Sequence, residues 1–480
     1  MNNKNSNLSH PGVFAQKTPD RAAIIMGGSG KQISFSEFEE ISNQVAHMMR
    51  HHGLKIGDRV AVLLENHVLY MPIVWGVFRA GLRFVAVATH LTSSEIDYII
   101  EDSGALLFIT SKGMESNVSR LMMANVPVKN RLVIDGLIEG FCDFQANLSK
   151  QERIPLTDQV EGIEMLYSSG TTGMPKGILK PMPKGAFGIP SEGYKLTAKI
   201  YGFDEETVYL SPAPQYHAAP LLFSLRALRF GATVLIMAKF DAERSLALIE
   251  RYKVTHSQWV PTMFIRLLQL REDARRSYNP STLRCVIHAA APCPIEIKQQ
   301  MLDWWGPIIW EYYGGSEGNG NTVINSREWL NHKGSVGTAK IGRIRICGDD
   351  GEELPVGDTG LIYFSDGPTF EYNNDIIKTK ESRNQYDWST IGDIGYTDKD
   401  GYLYLTDRKA NMIISGGVNI YPQESENRLL SHPEIRDVAV IGVPNSDFGE
   451  EVKGVVQLLN PERAGEALAR ELIEYCCETV

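Results

Sequence analysis

A hydroxyl-rich, glycine-punctuated run, YSSGTTGMPKG from Tyr167 to Gly177, is the part of this sequence best suited to hold a charged ligand. Ser168, Ser169, Thr171 and Thr172 offer donors, while Gly170, Gly173 and Gly177 let the backbone approach a ligand closely or take positive φ. Lys176 adds a mobile cation, so the run reads as a polyphosphate cradle, and it follows GIEML, which has strand character. The pattern GxxxxGK[ST] does not fit. Pro175 precedes Lys176 and Gly177 follows it, which places the lysine outside a helix start of that kind. A solvated turn has a similar composition, and what argues against it lies downstream.

Downstream stand HAAAP (His288 to Pro292), YYGGSEG (Tyr312 to Gly318), STIGDIGY (Ser389 to Tyr396) and YLTDRKANMIISGGVNIYPQE (Tyr404 to Glu424). Weaker stretches precede them: AQKTPDRAAI from Ala15, GLKIGDRVAVLLEN from Gly53 and THLTSSEIDYIIEDSGA from Thr89. Taken in order, these blocks resemble the adenylate-forming superfamily of acyl-CoA synthetases, aryl-CoA ligases, luciferases and peptide-synthetase adenylation domains over nearly the whole chain.

That resemblance implies ATP, Mg2+ and coenzyme A as cosubstrates and cofactor. A carboxylate must attack the α-phosphate although both are anions, so charge has to be neutralised locally. The likeness assigns β- and γ-phosphate contacts to Ser169, Thr171, Thr172 and Lys176, adds Ser168, Gly170 and Gly173 to the nucleotide-binding loop, and makes Thr172, Lys176 and Glu317 the catalytic set. It makes Glu317 the magnesium ligand, with Gly314 and Ser316 beside it; Ser316 stands where a threonine is usual. Ala290, Ala291 and Pro292 border the nucleotide, Tyr313 stacks on adenine, and Asp393 with Arg408 clamps the ribose, since a carboxylate accepts from both hydroxyls at once. His217 and Ala289 fall at the acyl pocket, with Phe223 and Trp259 as further apolar candidates, and together they point to a fatty or alicyclic acid. Ala410 matches the hinge of a rotating small domain, and Gly417 matches the glycine beside the pantetheine tunnel. Taken alone, an aspartate in a loop is a turn or cap residue and a tyrosine is core; the order of blocks favours the functional reading. Two other classes stay open: a nucleotide-binding pseudoenzyme and an adenylating domain that loads a carrier protein.

The fold expected is α/β. A large N-terminal part, residues 1–407, holds two helix-flanked sheet subdomains and a small β-barrel-like subdomain, and residues 408–480 form an incomplete small α+β domain. The pattern behind this is alternation: RVAVLLE, a helix over Val68 to Arg79, ALLFITS and RLVIDG, then VYLSPAP, a helix over Leu221 to Arg229, ATVLIM, a helix over Ala242 to Tyr252 and THSQWV. From Gly334 to Phe364 the texture turns to glycine-punctuated antiparallel strands. No lysine follows Lys453, whereas the family's terminal motif carries one, so the chain is expected to be truncated before that motif.

At 480 residues, size priors of about 150 residues per domain give about three units, and 43% hydrophobic residues suffice for their cores. A net charge of −10 excludes a nucleic-acid coat, and Arg271, Arg275 and Arg276 read as a solvated helix face. Six scattered cysteines with no CxxC fit reduced cytosolic thiols. The polar start MNNKNSNLSHPG lacks a signal core, and LLFSLRALRFGATVLIM is broken by Arg226, Arg229 and Gly231, so a cytoplasmic enzyme without an integral membrane segment is expected. The expected partners are small molecules, with a homodimer left open.

Overall fold

The computed structural model describes residues 8–168, 174–409, 411–415, 418–445 and 448–477. Two compact units result: Met1–Gln258 with Glu272–Val286 and Thr369–Thr379, and Trp259–Arg271 with Ile287–Pro368 and Lys380–Val480.

In the first unit, Arg59–Leu63, Arg83–Val87, Leu107–Ser111 and Arg131–Ile134 are short β-branched and apolar runs, almost wholly buried. Burial on both faces is what central parallel strands require, and these four pair in parallel. They belong to an eight-stranded sheet in the order 371–372, 176–179, 163–168, 83–87, 59–63, 107–111, 131–134, 142–143. Helices Phe35–His51 and Ser93–Ser103 cover such strands, and each opens with a capping box, Ser34 with Glu37 and Thr92 with Glu95. The second of these helices stops at Gly104, whose φ of 61° suits the left-handed cap. A second alternating set follows the same rule, with Ala22–Met26, Thr233–Ile236, Val208–Ser211 and His256–Trp259 in parallel neighbour order and Gln32–Ser34 antiparallel at the edge. The apolar stretch around Leu221 becomes the helix Ala218–Arg229 and the strand Thr233–Ile236, and among the described residues no helix is long and apolar enough to cross a membrane.

The second unit is antiparallel where the sequence texture changes. Strands Ile309–Tyr313, Asn321–Asn325, Ser335–Ile341, Leu403–Arg408, Ser389–Thr397, Gly360–Ser365 and Arg343–Cys347 succeed one another in that spatial order. Tyr313, Val336, Ile362, Phe364 and Leu403 fill their core. A smaller α+β element ends this unit: strands Ile413–Ser415, Val418–Ile420, Ile435–Asn445 and Gly449–Leu458 under helices Pro422–Leu430 and Glu466–Cys477. Its own core of Ile413, Leu429, Ile435, Val440, Leu468 and Leu472 marks it as a separately packed layer. Lys453 lies within the strand Gly449–Leu458, opposite Ile441.

Candidate active site

The residues expected at the nucleoside lie in the second unit, and a sheet brings them together. Asp393 and Arg408 are direct partners across antiparallel strands, so their side chains share a face. Arg408 Nε donates to Asp393 Oδ1 at 3.1 Å, and the Tyr313 hydroxyl donates to Asp393 Oδ2 at 2.8 Å. Asp393 is 7% exposed, and burial pushes its pKa up against the downward pull of Arg408 and of the Tyr313 hydrogen bond. Each oxygen spends one acceptor site on these bonds and keeps capacity for a ribose hydroxyl. Burial and the neighbouring Asp393 hold the Tyr313 phenol well above its ordinary range, so it stays a donor. One face of its ring lies against Phe364, with centroids 6.3 Å apart and planes 25° apart.

In the loop after Tyr313, Glu317 is buried. A Cβ added to Gly315 would stand 2.5 Å from Glu317 Oε2, so the glycine is what lets the carboxylate fold over its own loop. That oxygen is a hard donor and fits Mg2+. Asn319, which the sequence reading passed over, is buried and donates from Nδ2 to the carbonyl and hydroxyl of Ser389 at 3.1 and 3.0 Å, tying the loop to the strand that carries Asp393. Its signal in the sequence was an amide inside the glycine run EGNG, a type suited to such a tie.

Along HAAAP, Ala289 is buried, Ala290 and Ala291 are exposed, and Pro292 is half-buried. Ala290 has φ 77°, a left-handed conformation that costs an alanine on the order of 1–3 kcal/mol. Beneath the loop, Lys298 donates to Glu311, and His288 Nε2 lies 3.6 Å from the same carboxylate. Burial and Lys298 hold the His288 imidazole well below its ordinary range, so it is neutral. The sequence reading also missed this buried group.

The first unit holds the residues expected at the phosphates, together with His217 of the expected acid pocket, while Ala289 lies in the second. Ser168 and Lys176 face each other across the antiparallel pair 163–168 and 176–179, the two ends of the hydroxyl-rich loop. Lys176 Nζ lies 5.8 Å from the centroid of the Tyr372 ring. Below it, Asp102 accepts from the Tyr167 hydroxyl at 2.6 Å and from Asn373 Nδ2 at 3.1 Å, which anchors the strand that feeds the loop. Ser169, Gly170, Thr171, Thr172 and Gly173 lie outside the described residues, as do Ala410 and Gly417. His217 precedes the helix Ala218–Arg229; its ring is 4.6 Å from Tyr216 and 6.4 Å from His90, and burial followed by His90 lowers its pKa. Phe223 and Trp259 stand open in the sequence between pocket and core. Phe223 is packed against Tyr201 and Phe203, and Trp259 against Phe264 and Trp305, so both rings are spent in the cores of their units.

The family model for AMP-binding enzymes matches residues 13–370, and that for the AMP-binding enzyme C-terminal domain matches residues 424–480. A 2-succinylbenzoate–CoA ligase of Bacillus licheniformis is 30% identical over 98% of this chain and 93% of its own length. The o-succinylbenzoate CoA synthetase of Bacillus subtilis, solved with its acyl-adenylate intermediate, superimposes with a TM-score of 0.81 at 26% identity, covering 98% of this chain and 92% of that one. MatB from Rhodopseudomonas palustris with bound ATP gives 0.79 at 25% identity, over 98% and 92%. The chain thus spans 93% and 92% of the length of the two Bacillus relatives, and the C-terminal family model matches through residue 480. With the blocks in order over most of its length and both family models matched, this chain belongs to the AMP-binding enzymes, as an AMP-forming acid–thiol ligase that uses ATP.

Proposed function

We propose that this ligase activates a compact aromatic keto acid of the 2-succinylbenzoate type, and that the fatty or alicyclic acid expected from the sequence is not its substrate. The observation that carries this reading is the surroundings of His217. The rings beside it are Tyr216 and His90, polar and aromatic, while Phe223 and Trp259 are packed among other rings in their cores. The relatives named for 2-succinylbenzoate at 27–30% identity support it.

In this reading Asp393 accepts from the ribose hydroxyls with Arg408 beside it, and the Tyr313 ring flanks the base. Lys176 and the hydroxyl-rich loop neutralise the phosphates, which lowers the repulsion met by an attacking carboxylate. Glu317 would hold Mg2+, and the ion would supply further charge neutralisation on phosphate oxygens. Pyrophosphate leaves, and a thiol of coenzyme A then attacks the acyl adenylate and releases AMP. The division into 1–407 and 408–480, with Ala410 as hinge and Gly417 beside the thiol path, belongs to the same proposal.

The test is pyrophosphate release and acyl-CoA formation with 2-succinylbenzoate, benzoate, octanoate and palmitate, each with and without coenzyme A. Expected is a preference of at least about tenfold in kcat/KM for 2-succinylbenzoate, with a CoA-dependent thioester product. A preference for palmitate would overturn the acid assignment. Nucleotide binding without turnover would favour a pseudoenzyme, and Glu317→Ala should weaken magnesium-dependent ATP binding in either case.

A further inference from the structure

Asn66 follows the strand Arg59–Leu63 by three residues and lies where several parallel strands end. Ligands of open α/β sheets bind at such carboxyl ends, on loops that leave the strands there. One of those loops is SPAPQYH, from Ser211 to His217, which leaves the strand Val208–Ser211 and carries Tyr216 and His217 into the helix Ala218–Arg229. With two prolines and no strand partner along its middle, it depends on other groups for a fixed path.

Asn66 supplies three of those groups' bonds. Its Oδ1 accepts from the Gln215 amide at 2.7 Å, and its Nδ2 donates to the Ala213 carbonyl at 3.0 Å and to the Met237 carbonyl at 2.7 Å. The Met237 amide in turn donates to the Ser211 carbonyl at 3.1 Å. One side chain thereby pins the loop on both sides of Pro214 and locks it to the end of the neighbouring strand Thr233–Ile236. Asn66 is 8% exposed, and the Gln215 side chain, fully buried, continues the tie by donating from Nε2 to Ser211 Oγ at 2.6 Å. An amide suits this place because it accepts and donates at once: an aspartate would set a charge against two carbonyls, and an alanine would leave three buried backbone groups without partners.

We propose that Asn66 is a positioning residue for acid selection. By fixing the path of residues 213–217 it sets where the Tyr216 and His217 rings stand, and so which acids the ligase accepts. The inference rests on reading His217 as a residue of the acid's entry. It adds that the loop's backbone, held by Asn66, decides selectivity together with the rings it carries.

The test uses the full chain and steady-state kinetics with 2-succinylbenzoate, or with whichever acid the unmodified enzyme prefers, so that failure of the acid assignment is seen separately in the unmodified enzyme. Asn66→Ala should raise the acid's KM at least about tenfold, leave the KM for ATP within about twofold, and combine with His217→Ala to give less than the product of the single effects. Ser211→Ala, which removes only the Gln215 Nε2 acceptor, should move the acid's KM in the same direction by a smaller factor. Amide exchange at Gln215 should accelerate in Asn66→Ala. Equal rises in all three substrates' KM, an unchanged acid KM, or strictly multiplicative effects with His217→Ala would overturn the proposal. Should Asn66→Ala fail to fold, Ser211→Ala decides alone: a selective rise in the acid's KM supports the proposal, and an unchanged KM rejects it.

Discussion

The residues proposed for the nucleoside and those proposed for the acid are held in different ways. In the second unit, Arg408, on the strand paired with that of Asp393, and Tyr313, on a strand farther along the same sheet, both bond the Asp393 carboxylate side chain to side chain. In the first unit, Tyr216 and His217 ride on a loop whose backbone is clamped by Asn66. A side-chain lattice permits few substitutions, because each member satisfies another. A backbone clamp leaves the side chains it carries free to vary. The first arrangement suits the part of the substrate that never changes, the adenosine, and the second suits the part that differs between ligases, the acid.

The largest expected effect tests the first half of this contrast. Asp393→Ala removes the shared acceptor and leaves the buried Tyr313 hydroxyl without its partner, so the loss combines ribose contacts with local disorder. Hydrogen bonds to charged groups are worth about 1.5–3 kcal/mol each, which puts kcat/KM for ATP down roughly 10²–10³-fold. His217→Ala should instead cost about tenfold and act on the acid's kcat/KM. Steady-state kinetics for both substrates separates the two, and equal losses toward ATP and acid in both variants would break the comparison.

How much of this was legible beforehand follows the same division. Asp393, Arg408, Tyr313 and Glu317 sit in short contiguous blocks, and the strand register that joins the first pair follows from the hairpin between STIGDIGY and YLTDR. The acid side was read less well, because its walls come from dispersed segments whose burial no local pattern reveals. Phe223 and Trp259 look the same in sequence whether they line a pocket or fill a core, and here they fill cores. Asn66 and Asn319 were missed because a lone asparagine gains its meaning only from the distant backbone it meets, at Ala213 and Met237 in one case and at Ser389 in the other.

His10 in the first unit and Asp393 in the second titrate in opposite senses. His10, the N-cap of the helix Pro11–Lys17, packs on Phe187 with centroids 5.1 Å apart, and burial, then Arg79 and Arg229, lowers its pKa to about 3. A base whose folded pKa is depressed contributes stability above its unfolded value near 6.5 and loses it as pH falls toward the folded value. Asp393 runs the other way: its raised pKa favours the neutral form, so its contribution is present at low pH and lost as pH rises through the folded value. His10→Asn keeps a capping acceptor without the titration. Relative to it, the unmodified chain should lose up to about 2 kcal/mol between pH 7 and pH 5, read from urea midpoints of the first transition. Parallel curves for the two proteins over that range would remove His10 from the account.

The smallest effect concerns strain beside the nucleoside residues. Ala290 holds φ 77° while its side chain is exposed, so no packing gain offsets the conformation. Ala290→Gly relieves a steric cost of on the order of 1–3 kcal/mol and adds back unfolded-state entropy worth about 0.4–1 kcal/mol, so the variant should be more stable by about 1 kcal/mol. Strain of this kind persists where it presets a backbone for a ligand, and the glycine should therefore loosen the HAAAP loop in the free enzyme. The expected signature is a raised unfolding midpoint together with a KM for ATP increased about twofold and an unchanged KM for the acid. If stability rises and the KM for ATP does not move, the alanine's strain plays no part in holding the nucleotide, and the side-chain lattice of Asp393, Arg408 and Tyr313 fixes the nucleoside without help from this loop. If the KM for ATP rises well beyond that, backbone presetting contributes on the nucleoside side too, and the contrast between the two halves becomes one of degree.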